Sequence, residues 1–229
     1  MSQDIEREPF RARVRNGVSN FLQKYRTLLL GLVIAAVVVT GGLALWTQVD
    51  AATKNGFAAQ IEKSQADYVG WVSETDAAKK AELGKALQAE LTQIQKDAPT
   101  GYGLSKAWFI QGNFYVSDKK WPEAAKAFRT VFEKDRNSYL AGIALLNAGV
   151  SQEEAGDVAG ALTTYADFEK NYSSDSLLAP QVFFTEGRLL ETQQKSKEAV
   201  VAYKKLLEKF PESGWTKLGR DRILFLNLE

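Results

Sequence analysis

Apolar positions fall into three successive patterns along this chain: one unbroken run, then stretches with a helical period, then a spaced motif that recurs. The run is 27–49, TLLLGLVIAAVVVTGGLALWTQV, which holds no charged residue and is bracketed by Arg26 and Asp50. As a helix it would be about 34 Å long, enough to cross a hydrocarbon core of roughly 30 Å with some tilt. It therefore predicts a transmembrane helix over 27–49. A cleavable signal peptide and a buried core helix are the other readings of such a run. Its length fits both poorly, because a signal h-region spans about 7–15 residues.

Beyond the run, Phe57, Ile61, Tyr68 and Val72 recur near helical spacing, with Gln65 interrupting the stripe. The helix is expected to continue outward and the chain to turn around Glu74 to Asp76. From Ala77 to Lys96, Leu83, Leu87, Leu91 and Ile94 make one apolar face, with Lys79, Lys80, Glu82, Lys85 and Glu90 elsewhere. Asp76 is the expected N-cap, and the sequence Asp97-Ala-Pro-Thr-Gly101 ends the helix. No segment alternates with period two over a strand's length, so the fold class is all-α.

A recurring motif then sets the architecture. Aligning Gly112, Gly149 and Gly187 places Trp108, Leu145 and Phe183 four residues before each glycine and Ala124, Ala161 and Ala199 twelve after it. Phe128, Tyr165 and Tyr203 follow four residues past each alanine. Such a pattern is explained by close helix packing: a small residue admits the second helix, alanine fills the crossing and the aromatics plug the gaps. The turns agree. Lys119-Lys120-Trp121-Pro122 puts proline at a helix start, Gly156-Asp157 and Gln194-Lys195-Ser196 take the equivalent place, and Pro211 closes the third unit.

Charge orients the span. Arg7, Arg11, Arg13, Arg15, Lys24 and Arg26 precede it against Asp4, Glu6 and Glu8, whereas Asp50, Lys54, Glu62 and Lys63 are the first charges after it. Cations are retained on the cytoplasmic side, so the tail is expected inside and everything after Asp50 outside, with Trp46 as an interfacial anchor. Phe10, Val14, Val18, Phe21 and Leu22 make the tail a short basic amphipathic stretch. It fits either a plain positive-inside flank, which is the preferred reading, or a segment lying on anionic headgroups.

Removing the six cations and three carboxylates of the tail from totals of 29 and 28 leaves 23 and 25 for residues 50–229. That near-neutral balance offers no field to hold nucleic acid. Cysteine and histidine are both absent, which removes thiol nucleophiles, Ser-His-Asp arrangements, disulfides and nearly all transition-metal sites. Glu153 and Glu154 are adjacent and point to different sides of a helix. No catalytic residue, cofactor or metal ligand is expected, and the chain reads as a non-enzyme.

The repeat positions resemble the tetratricopeptide repeat over residues 105–213, in about three units with glycines 37 and 38 residues apart. Gln111, Ala148 and Glu186 stand where that repeat expects Leu, and Gln152 and Leu190 replace the Tyr kept at Tyr115. The layout divides into a basic cytoplasmic tail at 1–26, the span at 27–49, a helical stalk and N-terminal capping helices at 50–104, the repeats, and a C-terminal capping helix at 214–229. In that last helix Trp215, Leu218, Ile223 and Leu226 would cover the final repeat. The whole is similar to a family of single-span bacterial inner-membrane proteins that accompany the Sec translocon and periplasmic chaperones.

The resemblance implies an interaction module on the periplasmic side, an ancillary translocon or chaperone-associated subunit. Its partners would be the translocon, periplasmic chaperones or envelope clients. A structural scaffold of an envelope machine, in cell division, flagellar or outer-membrane assembly, is the alternative. First helices of such repeats line a concave surface, which here places Lys106, Phe109, Asn113 and Val116, then Leu146, Val150 and Glu153, then Phe184, Arg188 and Glu191 on the candidate binding face. Apolar groups beside Asn, Arg and Glu would hold an extended or helical segment. Phe109, Leu146 and Phe184 fit contact with the capping helices equally well. Phe109 also occupies the place of a lysine in the carboxylate clamp of some chaperone-binding repeats, which disfavours capture of a free C-terminal motif.

Overall fold

A computed structural model of the chain describes residues 10–99, 101–172 and 176–226. The tail residues Asp4, Glu6, Arg7 and Glu8, the middle of the Asn171 to Ser176 connection and the last three residues of the expected C-terminal helix lie outside the described residues. So do the side chains of Phe10, Arg11, Arg13, Val14 and Lys54. Among the described residues every regular element is a helix. They are α1 (Phe10–Lys24), α2 (Arg26–Ser73), α3 (Ala77–Asp97), α4 (Tyr102–Ser117), α5 (Trp121–Lys134), α6 (Tyr139–Glu154), α7 (Val158–Tyr172), α8 (Ala179–Thr192), α9 (Ser196–Lys209) and α10 (Gly214–Leu226).

The chain forms two compact units, Met1–Thr53 and Lys54–Glu229. In the first, α1 ends at Lys24, and α2 begins at Arg26 and carries the uncharged run. Its described side chains from Leu28 to Trp46 are exposed, and the helix is long and apolar enough to cross a membrane. Thr40 and Thr47 return their hydroxyls to carbonyls of the preceding turn, which pairs both hydroxyls within the helix.

The second unit opens with the outer part of α2. Its core-facing stripe is Phe57, Ile61, Ser64, Tyr68 and Trp71, at steps of four, three, four and three, with Ile61, Ser64 and Trp71 buried and Phe57 and Tyr68 partly so. Trp71 rather than Val72 faces the core, at 4% against 45% exposure, because Ser64 can occupy the seam once its hydroxyl bonds the Gln60 carbonyl. The ring of Trp71 lies tilted against Phe114, with centroids 4.3 Å apart, and its Nε1 would lie 2.9 Å from a Cβ at Gly84, so this glycine is where α3 makes room for the indole. Asp76 caps α3 by accepting from the Lys79 amide at 2.8 Å.

Three hairpins follow, α4 with α5, α6 with α7 and α8 with α9. Each repeat glycine lies under an aromatic ring of the second helix. An added Cβ would sit 2.6 Å from Phe128 at Gly112, 2.4 Å from Tyr165 at Gly149 and 2.5 Å from Tyr203 at Gly187. Ala124, Ala161 and Ala199 are fully buried at the crossings. Seven residues past each glycine the chain turns through a left-handed residue, Lys119, Gly156 and Gln194, with φ of 56°, 77° and 60°. Only the middle position is glycine, so the first and third turns carry the strain of a side chain in that region. Asp157 and Ser138 cap α7 and α6, and proline stands in the first turn of α5 and α8.

The expected leucine places resolve differently. Gln111 is satisfied by the Gln95 amide at 2.7 Å, which ties α4 to α3. Ala148 is simply buried. Glu186 buries a carboxylate oxygen without a hydrogen-bond partner, as does Glu169, and burial first, then the neighbouring Glu169 carboxyl, pushes the Glu186 carboxyl up to about 8. On helix α10 the expected face holds in part: Trp215 packs against the core, Ile223 and Leu226 are half-buried, and Leu218 turns outward. The helix packs on α9 and α8 through Thr216 and Gly219, whose added Cβ would stand 3.1 Å from Leu206, while Leu218 is 47% exposed. Small residues let the helix axis come close, and the resulting rotation turns Leu218 outward.

Candidate interaction face

The first helices of the hairpins are equivalent elements, so their residues one and four past each glycine occupy equivalent places: Asn113 and Val116, Val150 and Glu153, Arg188 and Glu191. At the junction of α6 with α8, the Arg188 guanidinium donates to Glu153, and the Tyr165 hydroxyl donates to the same carboxylate at 2.6 Å. At the junction of α8 with α10 the set recurs. Arg222 donates through Nε at 3.1 Å and through Nη2 to Glu191, which also accepts from the Tyr203 hydroxyl.

These latches are partly shielded, with the Glu153 and Glu191 side chains 15% and 13% exposed. Burial raises both tyrosine hydroxyls well above their ordinary value, and the carboxylate each one bonds adds to the effect. For Glu191, burial pushes the carboxyl up, but the bonds from Arg222 and Tyr203 and the Arg222 charge outweigh it, so the net direction is down. Each tyrosine hydroxyl donates to its glutamate, and a bond to a carboxylate is the stronger kind of hydrogen bond.

The junction of α4 with α6 has no such latch. Valine stands at the glutamate place as Val116, phenylalanine at the tyrosine place as Phe128 and valine at the arginine place as Val150. In consequence Asn113, Val116, Trp121, Phe128, Asn147, Val150 and Ser151 border a recess of about 160 Å³. Its walls are apolar and aromatic, and two carboxamides stand at its border, each able to donate and accept. That combination suits a short apolar side chain flanked by peptide groups.

The residues expected on the binding face therefore separate. Asn113, Val116 and Val150 border the recess, and Val150 is 42% exposed. Phe109 packs edge-on against Phe128 at 5.4 Å, and the Lys106 ammonium lies 5.9 Å from the Phe109 ring. Leu146, expected on the open face, is only 7% exposed and belongs to the core with Leu145, Phe183 and Leu189. Phe184 stands between Tyr203 and Trp215, with ring centroids 5.5 and 5.2 Å away. Glu153, Arg188 and Glu191 are engaged in the latches. Trp121, Asn147 and Ser151 of the recess, and Tyr165, Tyr203 and Arg222 of the latches, were not anticipated. One signal for the latches lies in the sequence: glutamate four past the glycine accompanies tyrosine sixteen past it, and valine accompanies phenylalanine.

Stacked helical hairpins with a glycine under each aromatic ring define a helical-repeat interaction protein. A family model described as a tetratricopeptide repeat-like domain matches residues 19–224, and the chain belongs to that family. It is also similar to a TPR repeat-containing protein of Treponema pallidum (strain Nichols), at 25% identity over 228 residues, covering 92% of this chain and 93% of the relative. Domains of this kind are protein–protein interaction modules and typically non-enzymatic. Among the described residues no group of three or more His, Cys, Asp or Glu side chains could hold a metal ion.

Proposed function

We propose that the chain is a single-span protein of the bacterial inner membrane, its N-terminus cytoplasmic and its repeat unit periplasmic. There it serves as an interaction module for envelope proteins during export or folding, as an ancillary translocon or chaperone-associated subunit. The observation that carries the reading is the uncharged helical run at 27–49, its described side chains exposed from Leu28 to Trp46, in the same chain as a tetratricopeptide-like unit. Support comes from the family match, which begins at residue 19 and so includes the run, and from the cationic flank before it. Trp46 at the outer end suits an interface.

Within the repeat unit the recess between α4 and α6 is the face where a partner segment docks. An apolar side chain enters between Val116, Val150 and Trp121, and the amides of Asn113 and Asn147 meet the segment's peptide groups. The experiment is co-purification from detergent-solubilised native membranes with Val150→Arg as the comparison. The unaltered chain is expected to bring down translocon and chaperone subunits, and Val150→Arg to lose them with its circular dichroism unchanged. Recovery of one stoichiometric assembly of other composition would overturn the export role, and equal recovery by both chains would overturn the recess.

A further inference from the structure

Trp71 is only 4% exposed, yet its indole N–H meets no acceptor among the described residues. Its Nε1 lies 2.9 Å from where a Cβ of Gly84 would stand, so the missing side chain leaves this donor uncovered. Both residues border a cleft of about 470 Å³ that follows α3 and is bounded opposite by Phe114 and by Asp118 and Lys120 of the turn into α5. A buried donor left unpaired is costly, and this one stands at the edge of a cavity with room for its acceptor.

The cleft is also cationic. Lys80, Lys85 and Lys120 border it against the single carboxylate of Asp118. Lys80 is pinned beside the indole: its ammonium lies 5.2 Å from the Trp71 ring centroid and donates to the Val72 and Glu74 carbonyls at 3.3 Å, which leaves one of its three hydrogens unused. Lys85 directly follows Gly84, and no carboxylate among the described residues pairs with it. Lys120 is held by Asp118 at 3.0 Å. Lys80, Gly84 and Gln88 recur at steps of one turn, so the Lys80 charge and the gap over the indole share one side of α3.

The group that completes this set is an anionic acceptor. From Ala77 to Gln88 the cleft follows about 16 Å of helix axis, the length of roughly five residues of extended chain. We infer that the cleft docks an acidic segment of a partner protein, one carboxylate accepting from the Trp71 indole N–H beside Lys80 and a further acidic side chain meeting Lys85 at the rim. The occupant is a protein segment because domains of this family are protein–protein interaction modules and because the cleft is longer than a single small anion fills. The Asp118 carboxylate opposes that segment and engages Lys120. The site is separate from the recess between α4 and α6, and it does not depend on the topology of the span.

The test is fluorescence anisotropy of a fluorescein-labelled peptide of alternating glutamate and leucine, titrated with the full chain in detergent at low salt. The glutamate peptide should bind about tenfold or more tightly than its glutamine counterpart, and more weakly as salt rises. W71F keeps a ring in place and removes the N–H, so affinity should fall about fivefold to tenfold. In the unaltered chain the Trp71 indole proton resonance, assigned by its loss in W71F, should move downfield on addition of the peptide. K85Q should weaken binding several-fold, whereas D118N should strengthen it, because the competing carboxylate is gone and Lys120 is released. K197Q, whose exposed cation on α9 does not border the cleft, should bind as the unaltered chain does. Equal binding of the two peptides, an unmoved indole resonance, weaker binding by D118N or equal loss in K197Q would overturn the site. Displacement of the peptide by inorganic phosphate at matched concentration would overturn the protein partner in favour of a small anion. D118N and the resonance leave the buried ring unaltered, so they decide the matter even where W71F melts early.

Discussion

Substituting Gly149 by alanine should destabilise the protein, although alanine is the better helix former. The added Cβ would stand 2.4, 2.5 and 2.9 Å from Cε1, Cζ and Oη of Tyr165. Van der Waals contact between carbons needs about 3.5 Å, so the ring must retreat by about 1 Å. It has nowhere to go, because Tyr165 is 0% exposed and packed among Ala161, Phe168 and Leu145. Retreat would also break the 2.6 Å bond from its hydroxyl to Glu153, the residue that holds Arg188 of the next hairpin. Overpacking costs about 1–3 kcal/mol and the bond to a charged acceptor about 1.5, against about 1 gained from helix propensity, for a net loss of roughly 1.5–3.5 kcal/mol. Gly142 on the same helix is the control. A Cβ there meets nothing nearer than 3.7 Å, so Gly142→Ala should stabilise by about 0.5–1 kcal/mol. Thermal melts of the full chain in detergent, followed by circular dichroism, should move in opposite directions, by roughly 3–14 °C down and 1–4 °C up. A Gly149→Ala protein melting at or above the unaltered chain would refute the packing account.

Two further outcomes follow from buried and shielded carboxylates. Glu186 holds a proton in the folded state up to about 8, against an ordinary value of 4.5. The stability it contributes is complete below that ordinary value and is lost as pH rises through about 8. Glu186→Gln should abolish this decline and raise the melting temperature at pH 8, within a window where the slope reaches on the order of 1 kcal/mol per pH unit; an identical pH profile for the variant would refute it. Arg222→Gln removes one partner of the α8 to α10 latch, so amide exchange across α10 should accelerate several-fold, equivalent to about 1 kcal/mol or less for a pair this exposed, with α5 unchanged. Acceleration spread evenly over α4 to α10 would show that the latch acts on the whole unit instead.

Local spacing alone determined much of this protein. The uncharged run, the Asp76 cap and the glycine–alanine–aromatic series each act within one helix or one hairpin, and every member of the series lies within sixteen residues of its glycine. Short-range contacts of this kind depend on the chain's own period and little else. Tertiary structure decided what that period leaves open, which is the rotation of each helix about its axis. Residues 71 and 72 lie on neighbouring sides of one helix, and the partner α3, with Gly84 as its gap, selected Trp71. Phe109, Leu146 and Phe184 hold the same repeat position yet meet Phe128, the buried core and Trp215 in turn, because the neighbouring element differs at each junction. The Glu191 latch to Arg222 spans 31 residues, and the open recess exists because its junction carries Val116, Phe128 and Val150 where the next carries Glu153, Tyr165 and Arg188. Residue identities were legible in the chain, but only the stacking of hairpins brought those three places together, since charge pairs and cavities arise between helices whose separation no local period encodes.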